Sequence, residues 1–234
     1  MLILKILVEG ETEELFVREL LYEHLLFRGV IAQSALLKTR RDRNERAFKG
    51  GGKSFLKMRR HIMELLGKNR SGVHVTTMLD FYGLPGEFPG QTDLPPNASF
   101  RGKVAHLEGQ FEADIHSKRF IPYLQVHEFE ALLFSDIGSL VNAFTNGPEK
   151  KTELEAILNT NNSDPEEINL GKDTAPSKRL LRLFPKHYSK KQSGLQIAKA
   201  VGLPALRSRC AHFNQWLIKL EELGDSASKK VHGP

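Results

Sequence analysis

The stretch that decides the fold is LILKILVEGETEEL, residues 2–15. Its first seven residues form a mainly apolar run of the length of a buried strand, and the nearby glycine ends that run. Thr12 can cap a helix, and apolar residues recur at helical spacing from there to about Arg28. The stretch therefore predicts a buried strand that turns directly into a helix, with four glutamates gathered around the turn.

The same alternation of strand and helix continues along the chain. Further elements are predicted in the order strand within 30–39, helix 55–68 after a Ser54 cap, strand 73–80, helix near 103–117, and a strand running into a helix within 120–134. This order predicts an α/β fold with a mainly parallel sheet flanked by helices. We expect residues 1–135 to form this core and residues 136–234 to form a helical C-terminal portion packed on it.

Length and composition set the class of protein. A chain of 234 residues with 40% hydrophobic content can bury one sizeable core. Its one cysteine, Cys210, excludes an internal disulfide and fits a reducing compartment. The N-terminus turns acidic too early for a signal peptide, and no apolar stretch approaches the ~20 residues of a membrane span. We therefore expect a soluble, cytoplasmic protein.

Charge is unevenly distributed within the formal net value of +6. Residues 38–70 carry 12 basic and 3 acidic residues, and residues 170–234 carry 13 and 4, whereas the remaining segments are acidic. Basic segments beside acidic ones suit a polyanion held by one surface, with acidic groups nearby that bind metal cations. The alternative is that both basic segments are ordinary solvated faces.

Acidic residues fall at the ends of predicted strands. Glu9 follows the first strand, Asp80 ends the third, and the His127-Glu128 pair closes the fourth. Ligands of parallel sheets bind beyond the carboxyl ends of the strands, and Glu13, in the first helical turn, leans toward the same edge. Clustered carboxylates need a compensating cation, and oxygen ligands favour Mg²⁺ or Mn²⁺.

Each of these residues also has a simpler interpretation. Glu13 would favour the helix dipole and Asp80 would begin a turn, without any metal. If the cluster forms, two ions spaced ~4 Å apart can serve phosphodiester cleavage, one by activating water and the other by stabilising the leaving oxygen. Helix capping leaves Glu9 unexplained, which favours the metal site.

Several motifs carry a family resemblance. LVEGETEELFV (7–17) resembles the first acidic motif of the Toprim superfamily, the metal-binding domain of topoisomerases, primases and related nucleases, and TTMLDFYGLP (76–85) resembles the second. YLQVHEFEALLFSD (123–136), APSKRL (175–180) and YSKKQSG (188–194) resemble a Toprim-like family of uncharacterised bacterial proteins. This resemblance covers nearly the whole chain.

The resemblance implies roles for individual residues. The spacing of Glu9 and Glu13 is similar to that in the overcoming-lysogenization-defect nucleases, which implies that both bind metal together with Asp80. Glu128 or Glu130 is implied as a further ligand. Related nucleases use a lysine to offset charge in the transition state, and the resemblance offers Lys178 and Lys191 for this catalytic role, with a solvated surface lysine as the alternative for each.

One position departs from the Toprim pattern. The second motif commonly has two aspartates separated by one residue, but Tyr82 stands at the second position here. Glu128, Glu130 or Glu87 would have to supply the missing carboxylate for two-metal chemistry. Otherwise the site holds one metal.

The function implied is a divalent-metal-dependent nuclease acting on DNA, with RNA as the alternative substrate. Basic residues of 38–70 and 170–191 would hold the phosphate backbone. Toprim-like nucleases of this kind often act in phage defence or restriction with a separate ATPase subunit of the ABC or structural-maintenance-of-chromosomes type. This nuclease function is compatible with a homo-oligomer.

Two other functions remain open. One is a non-catalytic nucleic-acid or partner-binding module, which Tyr82 favours; the other is nucleotidyl transfer of the primase kind.

Three further signals are discounted. KGGGKS (49–54) is not a P-loop, because Ala47 stands where that motif requires glycine. HEFEA (127–131) lacks the second histidine of a zinc-protease helix. His127 is expected to be a packed residue, or one that supports a metal ligand, rather than a ligand itself. The phenylalanines show no interleaving with basic residues of the kind that marks a single-strand binder.

Overall fold

The structure is a computed structural model, and it describes residues 1–37, 54–68, 72–168, 171, 173–185 and 187–231. The strands are β1 (Leu2–Val8), β2 (Val30–Leu36), β3 (Val73–Asp80), β4 (Phe120–Ile121) and β5 (Leu124–Gln125). The α-helices are α1 (Glu11–Phe16), α2 (Tyr22–Phe27), α3 (Phe55–Leu66), α4 (Phe100–Ile115), α5 (Ile137–Asn142), α6 (Lys151–Asn159), α7 (Pro176–Leu183), α8 (Lys190–Arg209) and α9 (Ala211–Val231). Short 3-10 helices span Phe81–Gly83, Phe129–Ser135, Pro148–Lys150 and Pro165–Glu167.

The strands form one parallel sheet in the order β2-β1-β3-β4, and β5 pairs with β3 beyond the end of β4. Val8, the last residue of β1, lies opposite Leu36 of β2 and Met78 of β3. Asp80, two residues further along β3, lies opposite Gln125 of β5. The carboxyl ends of the strands therefore meet at one edge, which confirms the predicted α/β fold with a parallel sheet.

Alternating residues of the central strand pack into cores on opposite faces of the sheet. Leu4, Ile6 and Val8 of β1 are buried against residues of α1, α8 and α9. Leu7 points the other way, into a second core formed with α3 and α4. Each face of the sheet is thus covered by helices, as a strand buried on both sides requires.

The helix after β1 begins earlier than predicted. Its first residue is Glu11 and its N-cap is Gly10, in extended conformation, so the prediction that Thr12 caps it is wrong. The helix continues from α1 through a π-helical segment, Val17–Leu21, into α2. A Cβ atom on Gly10 would lie 3.0 Å from Oε2 of Glu13. The glycine therefore leaves room for Glu13 to lie back over the end of β1.

The predicted fourth strand is divided into β4 and β5, and a 3-10 helix follows it. Between β4 and β5, the side chain of Thr77 takes the place of backbone hydrogen bonds between strands. Its hydroxyl accepts a hydrogen bond from the amide of Tyr123 (2.9 Å) and donates one to the carbonyl of Tyr123 (2.8 Å). Pro122, which has no amide hydrogen, precedes Tyr123. A side-chain hydroxyl thus bridges the interruption.

Helices α3 and α4 confirm two further predictions with adjusted ends. Ser54 is the N-cap residue of α3 but makes no side-chain cap; the amide of Phe55 donates instead to Oε1 of Glu87 (3.2 Å). Helix α4 begins at Phe100, where the Ser99 hydroxyl accepts from the amide of Gly102 (3.1 Å). The basic segment 38–53 lies outside the described residues.

The helices after residue 136 share the core beneath α1. The ring of Phe16 makes edge contacts with Phe129, at 5.2 Å between centroids, and with Phe213 of α9, at 6.1 Å. Gly202, with φ 72°, kinks α8. No helix in the described part of the chain is long and apolar enough to cross a membrane. The domain boundary at residue 135 stays a prediction.

Candidate metal site at the carboxyl edge of the sheet

Five carboxylates surround the end of β3. Glu9 follows β1, Glu13 lies in the first turn of α1, Asp80 ends β3, and Glu128 and Glu130 lie where β5 leads into the 3-10 helix. Burial raises the pKa of Asp80 well above its usual range, and the charges of all four glutamates raise it further. Asp80 is therefore the centre of a cluster of like charges.

Two backbone hydrogen bonds hold the middle of this cluster. The amide of Asp80 donates to Oε1 of Glu9 (3.1 Å), and the amide of Phe129 donates to Oδ1 of Asp80 (3.2 Å). The first bond joins the ends of β1 and β3, and the second joins β3 to the 3-10 helix. Three successive parts of the fold thus position Glu9 and Asp80.

Glu128 and Glu130 are held by the C-terminal helices. Oε2 of Glu128 accepts a hydrogen bond from the amide of Ser177 (3.1 Å) in the first turn of α7. Glu130 is buried, and its Oε1 accepts from the hydroxyl of Tyr188 (3.2 Å). Burial and the charge of Glu130 raise the pKa of Tyr188, so the phenol remains a donor. The segment 136–234 therefore contributes contacts to this edge of the sheet.

The chemistry of these donors fits a hard divalent cation, because all five are carboxylates and their mutual repulsion falls when a cation binds. However, in the described part of the chain no three His, Cys, Asp or Glu side chains are arranged so that they could hold a metal ion. Coordination by three of these groups would therefore require side-chain rotation. Glu9 and Asp80 each have one carboxylate oxygen that accepts a backbone hydrogen bond, and these oxygens would keep their positions when a cation binds.

The two predicted lysines differ in what the structure describes. Lys178 is exposed and follows Ser177, whose amide contacts Glu128, so it lies beside the cluster. Lys191 lies in the first turn of α8, and its side chain is outside the described residues. One turn further, a Cβ atom on Gly194 would lie 3.2 Å from Cγ2 of Thr12. The start of α8 therefore approaches the start of α1.

The acidic residues proposed to replace the second aspartate have different positions. Tyr82 lies in the 3-10 turn directly after β3, and its side chain is 66% exposed. Glu87 accepts from the amide of Phe55 and thus caps α3. Of these acidic residues, Glu128 and Glu130 are the two whose charges act on Asp80.

His127 is the least expected residue near the cluster. Its φ of 69° is left-handed, its side chain has no exposed surface, and neither ring nitrogen has a hydrogen-bond partner among the residues that the structure describes. Its ring meets that of Phe100 at 4.5 Å between centroids, with an interplanar angle of 67°. Burial lowers the pKa of His127 to about 4, so the ring is neutral at neutral pH. The expectation of a packed histidine agrees with this geometry.

Sequence reasoning did not identify Tyr188, Ser177 or Phe100 as neighbours of the site. Tyr188 is 58 residues from Glu130 in the sequence, and Ser177 is 49 residues from Glu128. The only signal in the sequence was that both lie in the segments that carried the family resemblance.

The fold and the acidic edge define a parallel α/β protein with a carboxylate cluster at the ends of its strands. The chain belongs to the family described as Domain of unknown function (DUF4276), whose model matches residues 8–221. The search of curated proteins found no match.

Two solved structures are similar to this chain. The C-terminal region of the Burkholderia pseudomallei OLD protein has 17% sequence identity and a TM-score of 0.48, over 96% of this chain and 99% of that one. The C-terminal region of the Xanthomonas campestris pv. campestris OLD protein has 18% identity and a TM-score of 0.42, over 98% of each chain.

Proposed function

We propose that this protein is a Toprim-like, divalent-metal-dependent nuclease that hydrolyses phosphodiester bonds. The observation that carries the proposal is the convergence of four glutamates on Asp80 at the carboxyl edge of a parallel sheet. A bound Mg²⁺ or Mn²⁺ would activate water and stabilise the charge that develops on the leaving oxygen. The Toprim-like motifs at 7–17 and 76–85 contain Glu9, Glu13 and Asp80, which supports the proposal.

The chain's own residues have distinct tasks in this proposal. Glu9 and Asp80 would keep fixed positions through their backbone hydrogen bonds, and Glu13, in the first turn of α1, would turn toward the cation. Glu128 and Glu130 supply the further negative charge. Lys178, exposed beside Glu128, would contact the scissile phosphate, with Lys191 as the second candidate.

The charge pattern supports a nucleic-acid substrate. The basic residues of 38–70 and 170–191 would bind phosphates, so affinity should fall as salt rises. Contacts to phosphate carry little sequence information, and we therefore propose weak sequence preference on DNA, with RNA as the alternative. The Toprim-like resemblance supports a role in phage defence or restriction with a separate ABC- or SMC-type ATPase.

The test is calorimetric titration of Mg²⁺ and Mn²⁺ together with plasmid cleavage, on the unmodified protein and on Glu9→Gln and Asp80→Asn. Glu87→Gln is the matched control, because Glu87 is a carboxylate that caps α3 outside the cluster. We expect the first two variants to lose metal binding and cleavage, and the control to keep both. Cation binding unchanged in all three variants would contradict the proposal.

A non-catalytic nucleic-acid-binding module is the second candidate, favoured by the exposed Tyr82 at the position of a Toprim aspartate. It predicts metal-independent binding of DNA with no cleavage in Mg²⁺ or Mn²⁺. In that case Asp80→Asn would leave DNA affinity unchanged or raise it, because a negative charge is removed from the surface that faces the phosphates.

A further inference from the structure

Two exposed aromatic side chains flank the carboxylate cluster. Tyr82, two residues after Asp80, is 66% exposed, and Phe100 is 43% exposed. The ring of Phe100 contacts His127, which directly precedes Glu128. Tyr82 therefore follows the acidic end of β3 in the chain, and the Phe100 ring contacts the residue that precedes Glu128 after β5.

The surroundings of Phe100 fix its ring and supply a positive charge. His127 is fully buried against it, in a short edge contact of 4.5 Å between centroids. Nζ of Lys103 lies over the Phe100 ring, 5.7 Å from its centroid. Phe100 is thus a supported apolar platform with a cation within reach of a neighbouring phosphate.

Such a pairing suits unpaired bases. Aromatic side chains stack on bases regardless of sequence, whereas bases within a duplex are already stacked on each other and offer no free face. A side chain with a large exposed ring beside a phosphate-binding site therefore discriminates between single and double strands.

We propose that Tyr82 and Phe100 stack on unpaired bases on either side of the scissile phosphate, so that the substrate is single-stranded or frayed nucleic acid. This inference rests on the proposed nuclease function and specifies its substrate class. The sequence shows no interleaving of phenylalanines and basic residues that would indicate such a substrate. Phe100 and Lys103 are three residues apart on α4, and helical spacing brings them together.

The test uses fluorescence anisotropy with an end-labelled DNA single strand, its duplex, and the same single strand carrying abasic sites. Binding is measured in EDTA to prevent cleavage, and cleavage of the same oligonucleotides is then measured in Mn²⁺. We expect tighter binding of the single strand than of the duplex or the abasic strand. Tyr82→Ala and Phe100→Ala should each weaken single-strand binding by roughly 5- to 100-fold and leave duplex binding unchanged.

Controls separate stacking from folding. Phe27→Ala removes a ring that is 91% exposed at the opposite edge of the sheet, just before β2, and should leave affinity unchanged. Phe100→Leu keeps an apolar contact for His127 without an aromatic face, so it should bind as weakly as Phe100→Ala, whereas Tyr82→Trp should bind normally. Circular dichroism verifies that each variant is folded.

Two results would overturn the inference in distinguishable ways. Equal affinity for single strand and duplex, unchanged in the Tyr82 and Phe100 variants, would reject stacking while Asp80-dependent cleavage would keep the nuclease proposal. Absence of metal-dependent cleavage and of binding to any of the three oligonucleotides would reject the proposed function and the inference together.

Discussion

The backbone amide of Asp80 donates a hydrogen bond to Oε1 of Glu9 at 3.1 Å, which joins the last residue of β3 to the residue after β1. Glu9 thus has a structural task in addition to the proposed metal binding. The two tasks depend on different properties of the side chain: the hydrogen bond needs an acceptor oxygen, and the cation needs a charge.

Substitution of Glu9 separates these tasks. Glu9→Gln keeps an acceptor for the Asp80 amide and removes one charge from the cluster, so we expect no loss of stability but at least tenfold weaker Mn²⁺ binding. Glu9→Ala leaves the amide without this acceptor, and its free energy of unfolding should be about 1 kcal/mol lower than that of Glu9→Gln. Urea unfolding and metal titration on both variants measure the two effects. Equal stability of the Gln and Ala variants would show that the hydrogen bond contributes nothing.

Removing the charge of Asp80 should stabilise the metal-free protein. Burial and four neighbouring glutamates disfavour its charged form, and Asp80→Asn keeps an oxygen for the amide of Phe129. We expect a gain on the order of 1 kcal/mol at neutral pH, or roughly 2–4 °C in melting temperature for a chain of this size. Metal binding should be lost in the same variant.

The pH dependence of this gain has a defined sign. The pKa of Asp80 is higher in the folded state than in the unfolded chain, so the cost of its charge is largest above the folded-state pKa and is lost as pH falls from there toward the unfolded-state pKa. The difference in melting temperature between Asp80→Asn and the unmodified protein should therefore shrink on acidification in EDTA. A difference that stays constant or grows would contradict this account of the cluster.

The fold and the centre of the site are the parts that local sequence predicts. Glu9 and Asp80 follow or end apolar runs, and the geometry of parallel strands brings such positions to one edge. The interruption between β4 and β5 has no local signal of this kind, because it depends on the Thr77 hydroxyl reaching Tyr123 across 46 residues. The hydrophobic periodicity of a sequence predicts which face of a strand or helix a residue occupies. It does not predict a single hydrogen bond between residues that are far apart in the sequence.

The outer contacts of the site could not be predicted for the same reason. The hydrogen bond between Glu130 and Tyr188 joins parts of the chain separated by 58 residues, and the contact between Phe100 and His127 depends on a left-handed backbone at a non-glycine residue. The prediction that Thr12 caps α1 is wrong because Gly10, the residue directly before the helix, takes the extended N-cap conformation.

A second charge cluster, distant from the metal site, gives a prediction about stability. Glu221 of α9 accepts a hydrogen bond from Arg207 of α8 (2.5 Å) and is hydrogen-bonded to His24 of α2 (2.6 Å). Burial raises the pKa of Glu221, but the bonds to Arg207 and His24 outweigh it, so the net pKa is lowered. We expect Glu221→Gln to reduce the free energy of unfolding by roughly 1.5–3 kcal/mol at neutral pH.

This contribution depends on ionisation of Glu221. Because its folded-state pKa lies below the ordinary value of 4.5, the stabilisation is present above that value and is lost as pH falls through the folded-state pKa. The stability difference between Glu221→Gln and the unmodified protein should therefore narrow below about pH 4.5. Denaturant unfolding at several pH values tests this, and a difference that widens in acid would contradict it.

Gly10 provides a test of the metal site that leaves all five carboxylates in place. A Cβ atom at this position would lie 3.0 Å from Oε2 of Glu13, closer than such contacts normally occur, and the end of the Glu13 side chain can move away. Because the extended backbone of Gly10 is open to alanine, Gly10→Ala should change stability little. We expect several-fold weaker Mn²⁺ binding, since the Glu13 carboxylate must shift away from the added methyl group.

Gly86→Ala, where no atom of the described residues lies within 4 Å of the added Cβ, is the matched control and should bind Mn²⁺ normally. Equal affinity in the two variants would show that the position of Glu13 beside Gly10 is not needed for Mn²⁺ binding.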